Sequence, residues 1–209
     1  MNIVLTEMER DVVTELFNIG VGHAAAAFGQ LTREKVQLAV PRVDIVSYAE
    51  ASSQLCQATG EPMIGIRQDF EGPLTGVAAL IFPERRSLEI VRAAIDDRFP
   101  LDDVSELERE TLLEIGNIIL NSCLASISDM LGMTTAASLP HLVHSAPPDL
   151  LDNLSARSTS IDRIVLFLHI DFSVSRLNVS GYLLFILGVE GSARFLDAVR
   201  GLIDRSGHC

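Results

Sequence analysis

The strongest constraint on the fold is that the chain carries the same sequence pattern twice. The segment ELFNI contains Glu15 and Asn18, and the segment EIGNI contains Glu114 and Asn117. The two segments lie 99 residues apart in a chain of 209 residues. A repeat of nearly half the chain predicts two halves of equivalent structure.

Three more matches follow in the same order along the chain. The offset between matched residues grows from 99 to 102, 105 and 108, as small loop insertions in the second half would produce. The matches are Asp69-Phe70 with Asp171-Phe172, the segment after Gly76 with the segment after Gly181, and Val91–Asp96 with Val199–Asp204. We therefore expect one domain over residues 1–209, made of two repeats at about 1–100 and 101–209.

Each half has the same predicted order of elements: a long helix, a strand, a loop, two further strands and a final helix. Helical periodicity predicts the long helices at about 7–31 and 104–131. The final helices are expected at Glu84–Phe99 and Ser192–Arg205. Apolar runs bounded by turn residues predict strands at Val36–Val46, Met63–Phe70, Leu74–Phe82, Thr134–His144, Ile164–Phe172 and Asn178–Leu187.

A loop and a shared sheet complete the predicted architecture. Residues His144–Ser160 hold Pro147 and Pro148 together with several serines, a composition typical of a long surface loop. Two or three strands alone would leave exposed edges, so we expect both halves to share one sheet. The predicted fold class is α/β of the α+β kind: internally duplicated, pseudo-two-fold, with helices packed on a largely antiparallel sheet.

The charge and the cysteines argue against several classes of partner. The chain has 16 Lys and Arg against 28 Asp and Glu, a formal net charge of −12. Nucleic acids and anionic membranes bind basic surfaces, so neither is an expected partner.

The longest strongly apolar stretch, near Tyr182–Val189, is far shorter than the roughly 20 residues of a membrane span. The first residues show no targeting signal. Three unpatterned cysteines suit a reducing compartment, and we expect a cytoplasmic protein.

Each long helix carries acids and an amide on one narrow stripe. At 100° per residue, Asp11, Glu15 and Asn18 fall within about 60° of one another. A solvated helix face is one interpretation of such a stripe. The repetition of the stripe and the glycines beside it favour a functional site. Each glycine destabilises a helix by about 1 kcal/mol relative to Ala, so its presence needs a reason. Close helix packing and access for a partner are both possible reasons for the glycines. In the second helix the stripe is formed by Glu110, Glu114, Asn117 and Asn121.

Other patterns favour packing over chemistry. Gly20 and Gly22 are spaced as in a dinucleotide-binding fingerprint, but they lie inside a helical pattern and do not follow a strand. His141 and His144 have no evident third ligand, so we expect no metal site. His23 borders the apolar face of its helix, and packing is its expected role.

The two stripes and the prolines that follow them resemble the paired signature of the CheC/CheX/FliY chemotaxis phosphatases. The strings NIGVGHAAAA and EIGNIILNSCLASI also resemble the two helices of the CheC branch. Two positions depart from the family pattern: Glu110, where Asp or Ser is usual, and His23, where a small amide residue is common. The signature residues are Asp11, Glu15, Asn18 and Pro41 in the first half and Glu110, Glu114, Asn117 and Pro140 in the second.

The resemblance implies hydrolysis of the aspartyl phosphate of a phosphorylated, CheY-like response regulator. Glu15 or Glu114 would pair with the regulator's lysine, and Asn18 or Asn117 would hold a water molecule in line with the phosphorus. The regulator would bring Mg²⁺, so the protein would need no metal or cofactor of its own. A non-catalytic adaptor that binds a regulator is the alternative, and a CheD-like deamidase is a possible further partner.

Overall fold

The order of helices and strands is the same in both halves of the chain, except that two short strands follow the long helix of the second half where one long strand follows that of the first. The computed structural model describes residues 5–32, 35–58, 60–94, 104–155, 163–174 and 177–206. The first half contains α1 (Glu7–Thr32), β1 (Val36–Ser47), α2 (Tyr48–Ala58), β2 (Met63–Glu71), β3 (Gly76–Pro83) and α3 (Glu84–Ala94). The second contains α4 (Val104–Leu131), β4 (Ala136–Ala137), β5 (His141–Ser145), α5 (Pro147–Ser155), β6 (Arg163–Val174), β7 (Leu177–Gly188) and α6 (Val189–Ser206).

Within the described ranges, the strands of both halves form one antiparallel sheet of seven strands, in the order β1-β6-β7-β3-β2-β4, with β5 also paired to β2. The two halves meet at its centre, where β3 pairs with β7. Each half also sends its first strand to the other: β1 pairs with β6, whereas β4 and β5 pair with β2. The predicted shared, largely antiparallel sheet is therefore confirmed.

Both faces of the sheet are covered, which explains why its central strands are apolar at nearly every position. Side chains alternate between the faces: Leu183 and Phe185 belong to a core beneath the long helices, whereas Leu184 and Ile186 belong to a core beneath α2 and α5. Aromatic pairs join the first core, with ring centroids 5.0 Å apart for Phe17 and Phe185. The long helices α1 and α4 thus rest on one face of the sheet, and their outer sides are left for other uses.

Glycines allow the long helices to approach their neighbours closely. A Cβ atom at Gly20 would lie 2.9 Å from the Cα of Cys123, so α1 and α4 are in contact there at backbone distance. A Cβ atom at Gly116 would lie 2.8 Å from the Cβ of Ile66 in the sheet. Gly22, by contrast, has no neighbouring atom within 4 Å. Packing therefore accounts for Gly20 and Gly116, and Gly22 leaves open surface beside the polar stripe.

By length and mean hydropathy alone, two helical segments among the described residues, Glu7–Gln30 and Glu106–Leu131, are long and apolar enough to cross a membrane. The expectation that no apolar stretch reaches that length is therefore wrong for α1 and α4. In the structure 44% and 50% of their most apolar windows is buried inside the protein. Their buried residues, such as Phe17 and Ile119, belong to the core against the sheet.

Three local predictions are wrong. The segment His144–Ser160, predicted as a loop, contains helix α5, in which Leu150, Leu151 and Leu154 are buried. Proline is compatible with the first turn of a helix, so the Pro pair marks the start of α5 and not a break. The loop expected between the first two strands contains α2. The single strand expected at Thr134–His144 is two strands, β4 and β5, separated by residues 138–140. Of the helix predicted at Glu84–Phe99, residues 95–99 lie outside the described residues.

Candidate active site

The acids of each stripe point into solvent, and the amide below them is half-buried. Glu15 is exposed and Asn18 is half-buried on α1; Glu114 and Asn117 have the same exposure on α4. In the described part of the chain, neither Glu15 nor Glu114 forms an ion pair or a hydrogen bond. Both carboxylates are therefore free to bind a cationic group of a partner. The remaining acids of the signature, Asp11 and Glu110, are also exposed.

A capping box fixes the start of α1. Thr6 donates from its backbone N and its Oγ1 to Glu9 Oε2, at 2.8 and 2.9 Å, and Glu9 N donates back to Thr6 Oγ1 at 3.2 Å. Arg200 Nε of α6 donates to Glu9 Oε1 at 2.6 Å. The backbone hydrogen bond from Thr6, and then the Arg200 guanidinium, lower the pKa of the Glu9 carboxyl. These bonds tie the end of α1 nearest the acids to the other half of the molecule.

The first site consists of Glu15, Asn18, Val40 and Pro41. Asn18 Nδ2 donates to the carbonyl oxygen of Val40 at 3.1 Å, and Val40 N donates to Asn18 Oδ1 at 2.8 Å. The register of β1 on β6 shifts between Ala39 and Arg42, where Pro41 has no N–H to offer to the sheet. The Asn18 amide thus forms the two hydrogen bonds with the backbone of Val40 that a neighbouring strand would otherwise form. This contact holds Asn18 next to Pro41 in the first half.

The second site consists of Glu114, Asn117, Ser138 and Pro140. Asn117 Oδ1 accepts hydrogen bonds from Asn121 Nδ2 at 2.7 Å and from Gln68 Nε2 at 3.2 Å. Gln68 Nε2 also donates to the backbone carbonyl of Ser138 at 3.0 Å. Pro140 lies in the interruption between β4 and β5, as Pro41 lies in the irregular part of β1. The two prolines therefore occupy equivalent places.

The two amides differ in what they can still bind. An Asn amide offers two N–H donors and two acceptor positions on its oxygen. Asn18 uses one donor and one acceptor position on Val40. Asn117 uses its oxygen for two donors, and no acceptor within the described ranges takes a hydrogen bond from its Nδ2. At the second site the Asn117 amide can therefore offer a partner only its N–H donors. At the first site the Asn18 amide still has one N–H donor and one acceptor position.

The residue before each proline also differs between the sites. Val40 is buried, with 1% of its surface exposed, whereas Leu139 is 81% exposed. The second site therefore has a large apolar side chain in solvent beside Ser138, and the first site does not.

The cleft beside the second site does not include the acid and the amide of the signature. An open cleft of about 690 Å³ is lined by Asp69 and Ser138 next to the second site, but Glu114 and Asn117 do not line it. The two carboxylates are exposed on the outer sides of α1 and α4, and the amides beside them are half-buried. Such a surface fits a macromolecular partner that brings its own reactive centre.

The structure shows the surroundings of two histidines and one cysteine that the sequence offers as candidate functional residues. His23 is exposed, so its expected packing role is wrong. His144 pairs with Glu84 at 3.4 Å, and no group of three or more possible metal ligands occurs among the residues that the structure describes; the absence of a metal cofactor stays a prediction. Burial raises the pKa of the Cys123 thiol to about 12, which makes it an unreactive core residue.

Gln68 is the main residue of the second site that sequence reasoning missed. It is fully buried, with 0% of its surface exposed, and lies between Arg67 and Asp69 in β2. A polar amide at a position where the repeat has the apolar residue Ile170 was the signal available in the sequence.

Comparison with solved structures defines the class of the fold. FliY from Thermotoga maritima superposes with a TM-score of 0.71 at 16% identity, covering 96% of this chain and 100% of that one. The FliM middle domain from H. pylori gives 0.63 at 11% identity, covering 93% and 99%. The protein thus has the fold of the FliY and FliM domains.

Comparison with curated proteins defines the family. The "CheY-P phosphatase CheC" of Bacillus subtilis is 30% identical over 141 residues, which are 66% of this chain and 67% of that protein. The "Flagellar motor switch phosphatase FliY" of Bacillus subtilis is 26% identical over 162 residues, 77% of this chain and 40% of that protein. No family model matches the sequence. The chain belongs to the CheC-like chemotaxis phosphatase family, and the resemblance inferred from the signature is confirmed.

Proposed function

We propose that the protein hydrolyses the aspartyl phosphate of a phosphorylated, CheY-like response regulator. The observation that carries the proposal is the repeated pair of a free glutamate and a half-buried asparagine on an exposed helix, Glu15 with Asn18 and Glu114 with Asn117. The relative named CheY-P phosphatase CheC supports the same reaction. The exposure of both glutamates supports a protein substrate.

Each residue type has a defined task in this reaction. The carboxylate of Glu15 or Glu114 would bind the lysine ammonium of the regulator and so orient the docked pair. The amide of Asn18 or Asn117 would hydrogen-bond the attacking water and keep it in line with the phosphorus. A neutral amide does this without adding negative charge beside the phosphoryl oxygens, so positioning supplies most of the rate.

The reaction needs no nucleophile from this chain. The water oxygen bonds to phosphorus while the bond from phosphorus to the regulator's aspartate oxygen breaks. The aspartate leaves as a carboxylate with the electron pair of that bond, and the water proton passes to the phosphate that is released. Mg²⁺ is expected on the regulator, where it would neutralise the phosphoryl oxygens.

Phosphate release from phosphorylated response regulators of the same organism tests the proposal. We expect the protein to accelerate release from at least one regulator, and the double substitution Glu15→Ala with Glu114→Ala to remove that acceleration. Asp129→Ala is the matched control, because Asp129 is an exposed acid of α4 that lies off the stripe. Binding of a phosphorylated regulator without faster release would favour the adaptor instead. A CheD-like partner and a cytoplasmic location remain predictions.

A further inference from the structure

The orientation of Asn117 is fixed by the amide network, which consists of Gln68, Asn117, Asn121 and the backbone carbonyl of Ser138. A backbone carbonyl can only accept, so Gln68 must turn its Nε2 towards Ser138. The same Nε2 faces Asn117, which must therefore present Oδ1 to it. Asn121 must then donate as well. One carbonyl thus sets the direction of all three amides and turns the Asn117 oxygen away from a partner.

Among the residues that the structure describes, the amide network has no equivalent at the first site. Gln68 precedes Asp69, which matches Asp171 in the repeat, so its counterpart is the buried Ile170. The sheet supports this match: Gln68 lies opposite the interruption between β4 and β5, and Ile170 lies opposite the irregular part of β1. The counterpart of Asn121 is Gly22, which has no side chain.

Burial of Gln68 disfavours the folded state. Its Oε1 is buried and has no hydrogen-bond partner in the described part of the chain, and an unpaired buried amide oxygen destabilises a protein. An apolar side chain of similar size would avoid this, as Ile170 does in the other half. Packing alone therefore does not account for an amide at this position.

We propose that Gln68 is a positioning residue for the second site, and that this site carries most of the turnover. The inference rests on the proposed phosphatase function. Through Asn117 Oδ1, Gln68 turns the N–H groups of Nδ2 towards the docked regulator, where they donate to the attacking water. A donor engages one lone pair of that water and leaves the other for attack on phosphorus. Asn18, which has no such network, mainly closes the irregular part of β1 through Val40.

Steady-state phosphate release in two backgrounds tests the proposal. Glu15→Ala leaves the second site as the working one, and Glu114→Ala leaves the first; both glutamates are exposed, so neither change disturbs packing. In the Glu15→Ala background we expect Gln68→Leu to lower kcat about tenfold with KM changed less than about twofold, and the Tm to stay level or rise. In the Glu114→Ala background the same change should leave the residual rate unaltered. Ile170→Leu is the matched control and should leave kcat of the second site unaltered.

A second pair of variants separates orientation from loss of packing. Asn121→Ala removes one donor to Asn117 Oδ1, whereas Asn121→Asp places an acceptor against that oxygen and opposes its orientation. We expect Asp to lower kcat more than Ala does, an order that loss of packing alone would not produce. Equal effects, or a kcat that survives Gln68→Leu, would overturn this inference and leave the proposed function standing. Absence of any acceleration by the unmodified protein would overturn both.

Discussion

Replacing Asn18 should destabilise the protein much more than replacing Asn117. Asn18→Ala removes both hydrogen bonds to the backbone of Val40, a residue that is 1% exposed and lies where the β1–β6 register is broken. A buried polar group left without its partner costs about 1–3 kcal/mol, so two such groups should cost roughly 3 kcal/mol. Asn117→Ala leaves Gln68 Nε2 bound to Ser138 and leaves Asn121 half-exposed to water. Its cost should be about 1 kcal/mol or less.

Thermal unfolding followed by circular dichroism measures this difference. For a protein of this size about 1 kcal/mol shifts the Tm by roughly 2–4 °C, so Asn18→Ala should lower it by roughly 6–12 °C and Asn117→Ala by at most about 4 °C. Asn18→Asp is the informative intermediate, because a carboxylate can accept from Val40 N but cannot donate to its carbonyl. Equal losses for the two Ala variants would refute the assignment of Asn18 to the structure of β1.

Three further outcomes follow from the same contacts. Glu15→Ala and Glu114→Ala should lower phosphate release by different factors. Losing one charge-assisted contact costs about 1.5–3 kcal/mol, or roughly tenfold and more in rate, but only at a site that contributes to turnover. Equal losses in steady-state kinetics would mean that the sites are equivalent. The folded pKa of Glu9 lies below its unfolded value, so its stabilisation is present above the unfolded pKa and is lost as the pH falls through the folded pKa. Glu9→Gln should accordingly destabilise the protein by about 1 kcal/mol at pH 7, and urea unfolding in acid should show that gap closing. Gly20→Ala should destabilise by about 1–3 kcal/mol because its Cβ would meet backbone atoms 2.9 Å away, whereas Gly22→Ala, in open space, should stabilise α1 by up to about 1 kcal/mol in thermal unfolding.

Long-period patterns made much of this fold predictable. The helical periodicity of α1 and α4 extends over more than six turns, so their position and outward stripe follow from the sequence. The repeat fixed the correspondence between strands, and the need to cover strand edges led to the shared sheet. Helices α2 and α5 are short and rich in Ser or Pro, and their few apolar residues give too weak a signal to separate a helix from a loop.

The orientation of the two asparagines could not be predicted, because it depends on contacts between residues that are far apart in the sequence. Asn117 is oriented by Gln68, which lies 49 residues away in the chain, and Asn18 by the backbone of a residue 22 positions later. Backbone groups carry no sequence signal, so the bond to Val40 was not predictable. The difference between Gln68 and Ile170 was visible in the repeat, yet its meaning required the pairing of β2 with both β4 and β5.

The exchange of first strands between the halves has an evolutionary consequence. Because β1 completes the sheet beside β6, and β4 and β5 complete it beside β2, two separate copies of one half would form this sheet as a two-fold dimer. In such a dimer every substitution appears in both active surfaces at once. Joining the halves in one polypeptide removes that restriction, so glutamine can occupy one position while isoleucine occupies its equivalent. Selection can then act on one surface for turnover and on the other for stability.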